Sequence, residues 1–189
     1  MSGLYLASQS PRRTELLYQV DIDHTVVTSS YVEDNVVITD PIEMVKAQAL
    51  GKARCANDVP DGSIVLGADT IVVFDGKVLG KPHSKDEART MLRTLSGQVH
   101  SVITGVALLI KGREIVFHNE TKVYFKTLQD FEIESYIDSL EPMDKAGAYG
   151  IQGKGALWVD KIEGSYTNVV GLPVEHVYEE LCKALGVKS

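Results

Sequence analysis

Ser8, Ser10, Arg12 and Arg13 place two hydroxyls and two guanidiniums in one short stretch, LASQSPRRTELL, where an apolar strand runs into a helix. These are groups that hold phosphate. Ser10 fits the N-cap position and Pro11 the first helical position, where a missing N–H costs nothing. Arg12 and Arg13 then fall in the first turn, at the end of the helix dipole that favours anions and disfavours cations. The mismatch is resolved if an anion binds, cradled by free backbone N–H groups, the two hydroxyls and the two guanidiniums. On this segment alone the other reading is two solvated arginines on an ordinary strand-to-helix turn.

Asp69 lies inside the apolar run SIVLGADTIVVF. An unpaired carboxylate there is costly to desolvate, so it must meet a cation, a metal or water. Gly67 and Ala68 would leave room beside it for a ligand; the alternative is an aspartate at a strand break, satisfied by backbone amides. Lys52, beside the apolar stripe of a helix, suits phosphate contact or simple snorkelling. Lys81, next to Pro82, suits a phosphate, Asp69 or the solvated edge of a sheet. Glu33 is an ordinary loop acid unless it joins Asp69 at a hard divalent cation, and magnesium needs only one or two protein carboxylates. Gln152, in the glycine-rich stretch DKAGAYGIQGKG, carries a donor and an acceptor that match a base edge. Tyr5, Tyr124 and Phe125 read as sheet or core residues, because aromatics favour strands in any case.

These residues need a scaffold. A strand at Leu4–Ala7 leads into the first helix, and Thr25 to Val37 is β-leaning, with a loop at Glu33-Asp34-Asn35. Asp40-Pro41-Ile42-Glu43 predicts a capped helix running to about Ala56, with Ile42, Val45, Ala49, Ala53 and Ala56 at helical spacing. Ser63 to Phe74 predicts a strand that turns at Asp75-Gly76 into Lys77–Leu79. A second capped helix starts after Ser84 and stops at Gly97. Val99–Ile110 and Glu114–Lys126 predict a long hairpin across Lys111-Gly112. Thr127–Leu140 predicts an amphipathic helix carrying Phe131, Tyr136, Ile137 and Leu140. Leu157–Ile162 and Tyr166–Val170 predict two short strands turning at Glu163-Gly164, and a last helix begins near Pro173. The expected class is α/β with a mixed sheet.

Composition narrows the function. The 189 residues suffice for one substantial core or two small lobes sharing a sheet, and 44% hydrophobic with 24% charged residues is globular. No apolar run is long enough to span a bilayer and the N-terminus enters a strand, so the expected location is cytoplasmic. A net charge of −7 argues against nucleic-acid binding, which needs a positive field, but not against a small anion held by local cations. Cys55 and Cys182 form no CxxC, and the five histidines lack metal-site spacing. No Walker A motif, dinucleotide fingerprint or G-x-S-x-G elbow is present.

LASQSPRRTELL, GADTIV, Gly80-Lys81-Pro82, LSGQVHSVITGVAL and DKAGAYGIQGKGA, in this order over nearly the whole chain, resemble the Maf family of nucleoside triphosphate pyrophosphatases. The resemblance implies one domain over 1–189, with an extended mixed β-sheet flanked by helices in two lobes around a central cleft, similar to inosine triphosphate pyrophosphatases. It implies hydrolysis between the α and β phosphates, with Asp69 as proton acceptor and Glu33 helping it to hold a divalent metal, magnesium or manganese. Ser8, Ser10, Arg12, Arg13, Lys52 and Lys81 would line the triphosphate. Arg12, Thr70 and Gln152 match positions associated with substrate choice in the branch acting on dTTP and UTP. The implied role is house-cleaning of nucleotide pools, with a link to cell-division arrest; a nucleotide-binding regulator with little turnover is the alternative, and an inosine-directed enzyme a third reading. An exposed β edge would support a homodimer.

Overall fold

The computed structural model describes residues 3–32 and 39–187. Glu33 and the loop around it therefore lie outside the described residues. Strands β1 (Leu4–Ala7), β2 (His24–Val27), β3 (Ile64–Phe74), β4 (Lys77–Leu79), β5 (Val99–Ile110), β6 (Arg113–Phe125) and β7 (Val159–Glu163) are interspersed with helices α1 (Pro11–Gln19), α2 (Pro41–Arg54), α3 (Lys85–Leu95), α4 (Asp130–Asp138), α5 (Tyr166–Val170) and α6 (Val174–Leu185). The strands form one sheet in the order β2-β1-β3-β5-β6-β7, with β4 on the second half of β3. β1 runs parallel to β2 and β3, whereas β3–β4 and β6–β7 are antiparallel, so the sheet is mixed, as expected.

The chain divides into two compact units, residues 1–70, 104–119 and 171–189 in the first and 71–103 and 120–170 in the second. The boundaries cut β3 after Thr70, β5 after Ile103 and β6 after Asn119.

In the first unit α2 is built to come close to the sheet. Its inward residues are small, Ala49 and Ala53, and they pack with Ala7, Val65 and Ala107. Gly67 on β3 has no side chain to hold the helix off. A Cβ there would overlap the carbonyl oxygen of Ala49 and sit 2.8 Å from the amide nitrogen of Ala53. Gly105 on β5 plays the same part against Val45 and Lys46. The space beside Gly67 is thus filled by helix backbone and not left for a ligand. Asp40 caps α2, accepting from the N–H groups of Ile42 (2.8 Å) and Glu43 (3.1 Å), while the Glu43 carboxylate turns to Lys46 instead of closing a capping box.

The second unit has an aromatic core. Met91, Leu92, Leu95, Val123, Phe125, Ile133, Tyr136, Tyr149 and Trp158 pack together, with the Tyr136 and Trp158 rings edge-on at 4.7 Å. α4 is shorter than expected, and Phe131, placed on its apolar face by sequence, is 73% exposed. Tyr166–Val170 is a helix and not the expected strand. Its β-branched residues are overruled by polar tertiary contacts: Ser165 Oγ accepts from the Asn168 N–H, and the buried Asn168 amide donates to Val102 O and Thr121 Oγ1 at 3.0 and 2.9 Å. No helix among the described residues is long and apolar enough to cross a membrane.

Candidate functional site

Helix α1 starts where the sequence places it, with Ser10 extended at the N-cap and Pro11 following. The Ser10 hydroxyl, however, caps nothing. Ser8 Oγ does the local work, accepting from the Ser10 N–H at 3.2 Å and from Arg13 Nη1 at 2.9 Å. No acidic residue occupies the first turn of α1.

Arg13 is the organising side chain of the first unit. Besides Ser8 it donates through Nε to Gly171 O at 2.8 Å and through Nη2 to Thr70 Oγ1 at 3.1 Å. Three donors of its fork are therefore spent on protein, and a planar, five-donor guanidinium is the side chain that can do this. Burial disfavours its charge and Arg12 adds repulsion, while Asp69 attracts it; the net effect holds its pKa below the ordinary arginine value. Thr70 Oγ1 also meets Thr104 Oγ1 at 2.9 Å and Gly171 O at 3.3 Å. Thr104 and Gly171 are members of this network that the sequence reading did not single out. Their signal was present, because Thr104 lies within LSGQVHSVITGVAL and Gly171 ends the apolar stretch NVVG before Leu172-Pro173.

Asp69 is where the apolar strand said it would be, and its partner is a cation. Lys52 Nζ lies 2.5 Å from Asp69 Oδ1, with the two side chains 23% and 13% exposed. The close seat of α2 on Gly67 explains the pair. Gly67 and Asp69 share one face of β3, and the α2 turn that touches Gly67, Ala49 to Ala53, carries Lys52. Thr70, the next residue, points to the other face and takes Arg13. Consecutive residues of β3 thus each engage a cation, one on either side of the sheet.

Ser8, Ser10, Arg12, Arg13, Lys52, Asp69 and Thr70 all belong to the first unit. Lys81 and Gln152 belong to the second, where both are exposed. The segment carrying Lys81 is tied to the glycine-rich loop carrying Gln152 by the Gly147 N–H donating to Gly80 O at 3.0 Å. Among the described residues no three His, Cys, Asp or Glu side chains converge as a metal site.

Chemically, the first unit presents Arg12 and Arg13 at the start of α1 and, from the last turn of α2, Lys52 paired with Asp69, cations suited to an anion beside a carboxylate that can take a proton. Residues 3–184 match the family described as Maf-like protein. Similar proteins include the dTTP/UTP pyrophosphatases of Symbiobacterium thermophilum, 51% identical over 96% of this chain and 93% of that protein, and of Carboxydothermus hydrogenoformans, 51% identical over 94% and 96%. The dTTP/UTP pyrophosphatase of Bacillus cytotoxicus is 48% identical over 96% of this chain and 95% of its own. With the match running from β1 through α6, the chain belongs to the Maf family.

Proposed function

We propose that this protein is a nucleoside triphosphate pyrophosphatase that hydrolyses dTTP and UTP, with residues 1–189 acting as one catalytic domain. The observation that carries the reading is Asp69 held by Lys52 on the same strand whose next residue is held by Arg13, a carboxylate set among cations. Phosphoryl displacement needs positioning and charge neutralisation more than covalent help, and these side chains supply both.

In the proposed reaction Lys52 and Arg12 bind the triphosphate, while Arg13, with three donors committed, holds Ser8 and Thr70 in place and adds its charge. Asp69 takes the proton of the attacking water as the bond between the α and β phosphates breaks, leaving the monophosphate and pyrophosphate. Ser8 and Ser10 offer hydroxyls at the helix start, and Lys81 a further cation. A divalent cation fits this donor set: a half-buried carboxylate beside phosphate-directed cations leaves most coordination to phosphate oxygens and water, as magnesium prefers. Asp69, joined by Glu33, would hold it, and when bound it would neutralise charge developing on the phosphate oxygens. Gln152 would read the imide edge of uracil or thymine, whose alternating acceptor, donor and acceptor suit a side-chain amide.

Pyrophosphate release from dTTP, UTP, CTP, ATP, GTP, ITP and 7-methyl-GTP, with and without magnesium or manganese, tests the proposal. Metal-dependent turnover of dTTP and UTP, lost in Asp69→Asn, is the expected result. Nucleotide binding without turnover would make the protein a regulator instead, and preference for ITP would overturn the pyrimidine reading.

A further inference from the structure

The loop that presents Gln152 is fastened from one side by a pair of residues outside every motif considered above. Tyr136, on α4 and only 2% exposed, donates its hydroxyl proton to Glu141 Oε1 at 3.0 Å and accepts from the Gly150 N–H at 3.1 Å. The Glu141 carboxylate lies directly against Gly153: a Cβ on that glycine would overlap Oε1 and come within 2.6 Å of Cδ. Lys145 adds a second strut, donating from Nζ to Glu141 O at 2.7 Å, with its Cε 2.7 Å from where a Cβ on Gly150 would stand. Gln152 sits between the two points so held, Gly150 and Gly153, with its own side chain exposed.

We infer that Tyr136 and Glu141 are positioning residues for nucleobase choice, setting the height and direction of Gln152 through the backbone of Gly150 and Gly153. The inference rests on Gln152 reading the base. Three observations support a positioning role over simple packing. The tyrosine hydroxyl is spent on a loop amide and a carboxylate, although the ring alone would fill the core. The carboxylate abuts the one neighbour of Gln152 whose lack of a side chain admits it. Leu140, just before Glu141, is held at φ +61°, a left-handed conformation that a leucine rarely adopts, while its side chain is exposed. That turn at the end of α4 leads directly into Glu141.

The test is the ratio of kcat/KM for UTP over CTP in Tyr136→Phe, Glu141→Ala, Glu141→Gln and Gln152→Ala, and in the double variant Tyr136→Phe/Gln152→Ala, with thermal melting to verify folding. Tyr136→Phe and Glu141→Ala should compress the ratio roughly tenfold, as a displaced recognition group does. Glu141→Gln, which keeps an acceptor for Tyr136, should retain it. Tyr136→Phe should add nothing once Gln152 is gone. If Gln152→Ala compresses the ratio and Tyr136→Phe and Glu141→Ala do not, the positioning role is wrong and base reading stands. A fall in kcat for both nucleotides at constant ratio overturns it as well, marking the pair as structural. If Gln152→Ala leaves the ratio unchanged, base reading itself fails and the inference falls with it.

Discussion

Lys52 Nζ and Asp69 Oδ1 are 2.5 Å apart, and the pair exists because Gly67 lets helix α2 lie on strand β3. The carboxylate proposed to accept a proton from water is thus paired with a lysine that can also meet phosphate. Substitution of Asp69 by Asn removes the acceptor and keeps the shape. We expect kcat on UTP to fall by about 10²- to 10⁴-fold, the usual worth of a general base, with the melting temperature little changed. Steady-state pyrophosphate release beside a thermal melt checks both halves; retained turnover would move the base elsewhere.

Gly67→Ala tests the seat of α2. The added methyl has nowhere to go but into the Ala49 carbonyl and the Ala53 amide, so the helix must move off the strand. Overpacking of this kind costs about 1–3 kcal/mol, and displacement of Lys52 should lower kcat in parallel. Urea denaturation and activity on the same sample would show the coupling, and a stable, fully active variant would contradict it.

Arg13→Lys separates charge from geometry. Lysine keeps the positive charge but cannot donate in a fixed fork to Ser8, Thr70 and Gly171 together. Losing two such bonds to a charged donor should reduce kcat/KM by about 10- to 100-fold and lower the urea midpoint. Wild-type kinetics in this variant would show that only the charge matters.

His100 makes stability sensitive to acid. Its ring is buried between Phe125 and Tyr149, with Nε2 2.8 Å from the Tyr149 hydroxyl, and burial lowers its pKa to about 4. The unfolded chain, with an ordinary value of about 6.5, binds the proton first. The stabilising contribution is therefore whole above pH 6.5 and is lost as pH falls through about 4, amounting to about 3 kcal/mol over the interval. Urea midpoints between pH 7 and pH 4 should drop more steeply in the wild type than in His100→Gln; equal slopes would assign the acid sensitivity to other groups.

Local chemistry makes much of this protein legible in its sequence. The Ser10-Pro11 start of α1, the Asp40 and Ser84 caps, the Asp75-Gly76 turn and the β5–β6 hairpin are set by residues a few positions apart, and all stand where the sequence put them. The aspartate within an apolar strand announced a partner without naming it. Naming it took tertiary structure: Lys52 is 17 residues from Asp69, and only the alanine- and glycine-lined approach of α2 to β3 decides that they meet. Likewise Arg13 and Gly171 are 158 residues apart, and no periodicity reports such a contact. Tyr166–Val170 shows the same limit from the other side. Its β-branched residues favour a strand by a small intrinsic margin, and buried hydrogen bonds from Asn168 outweigh that margin. Residue order alone supplied the side chains for phosphate chemistry and the short segments that cap, turn and extend. Which of them face one another was decided by packing, because a contact between distant residues depends on how closely whole elements can approach.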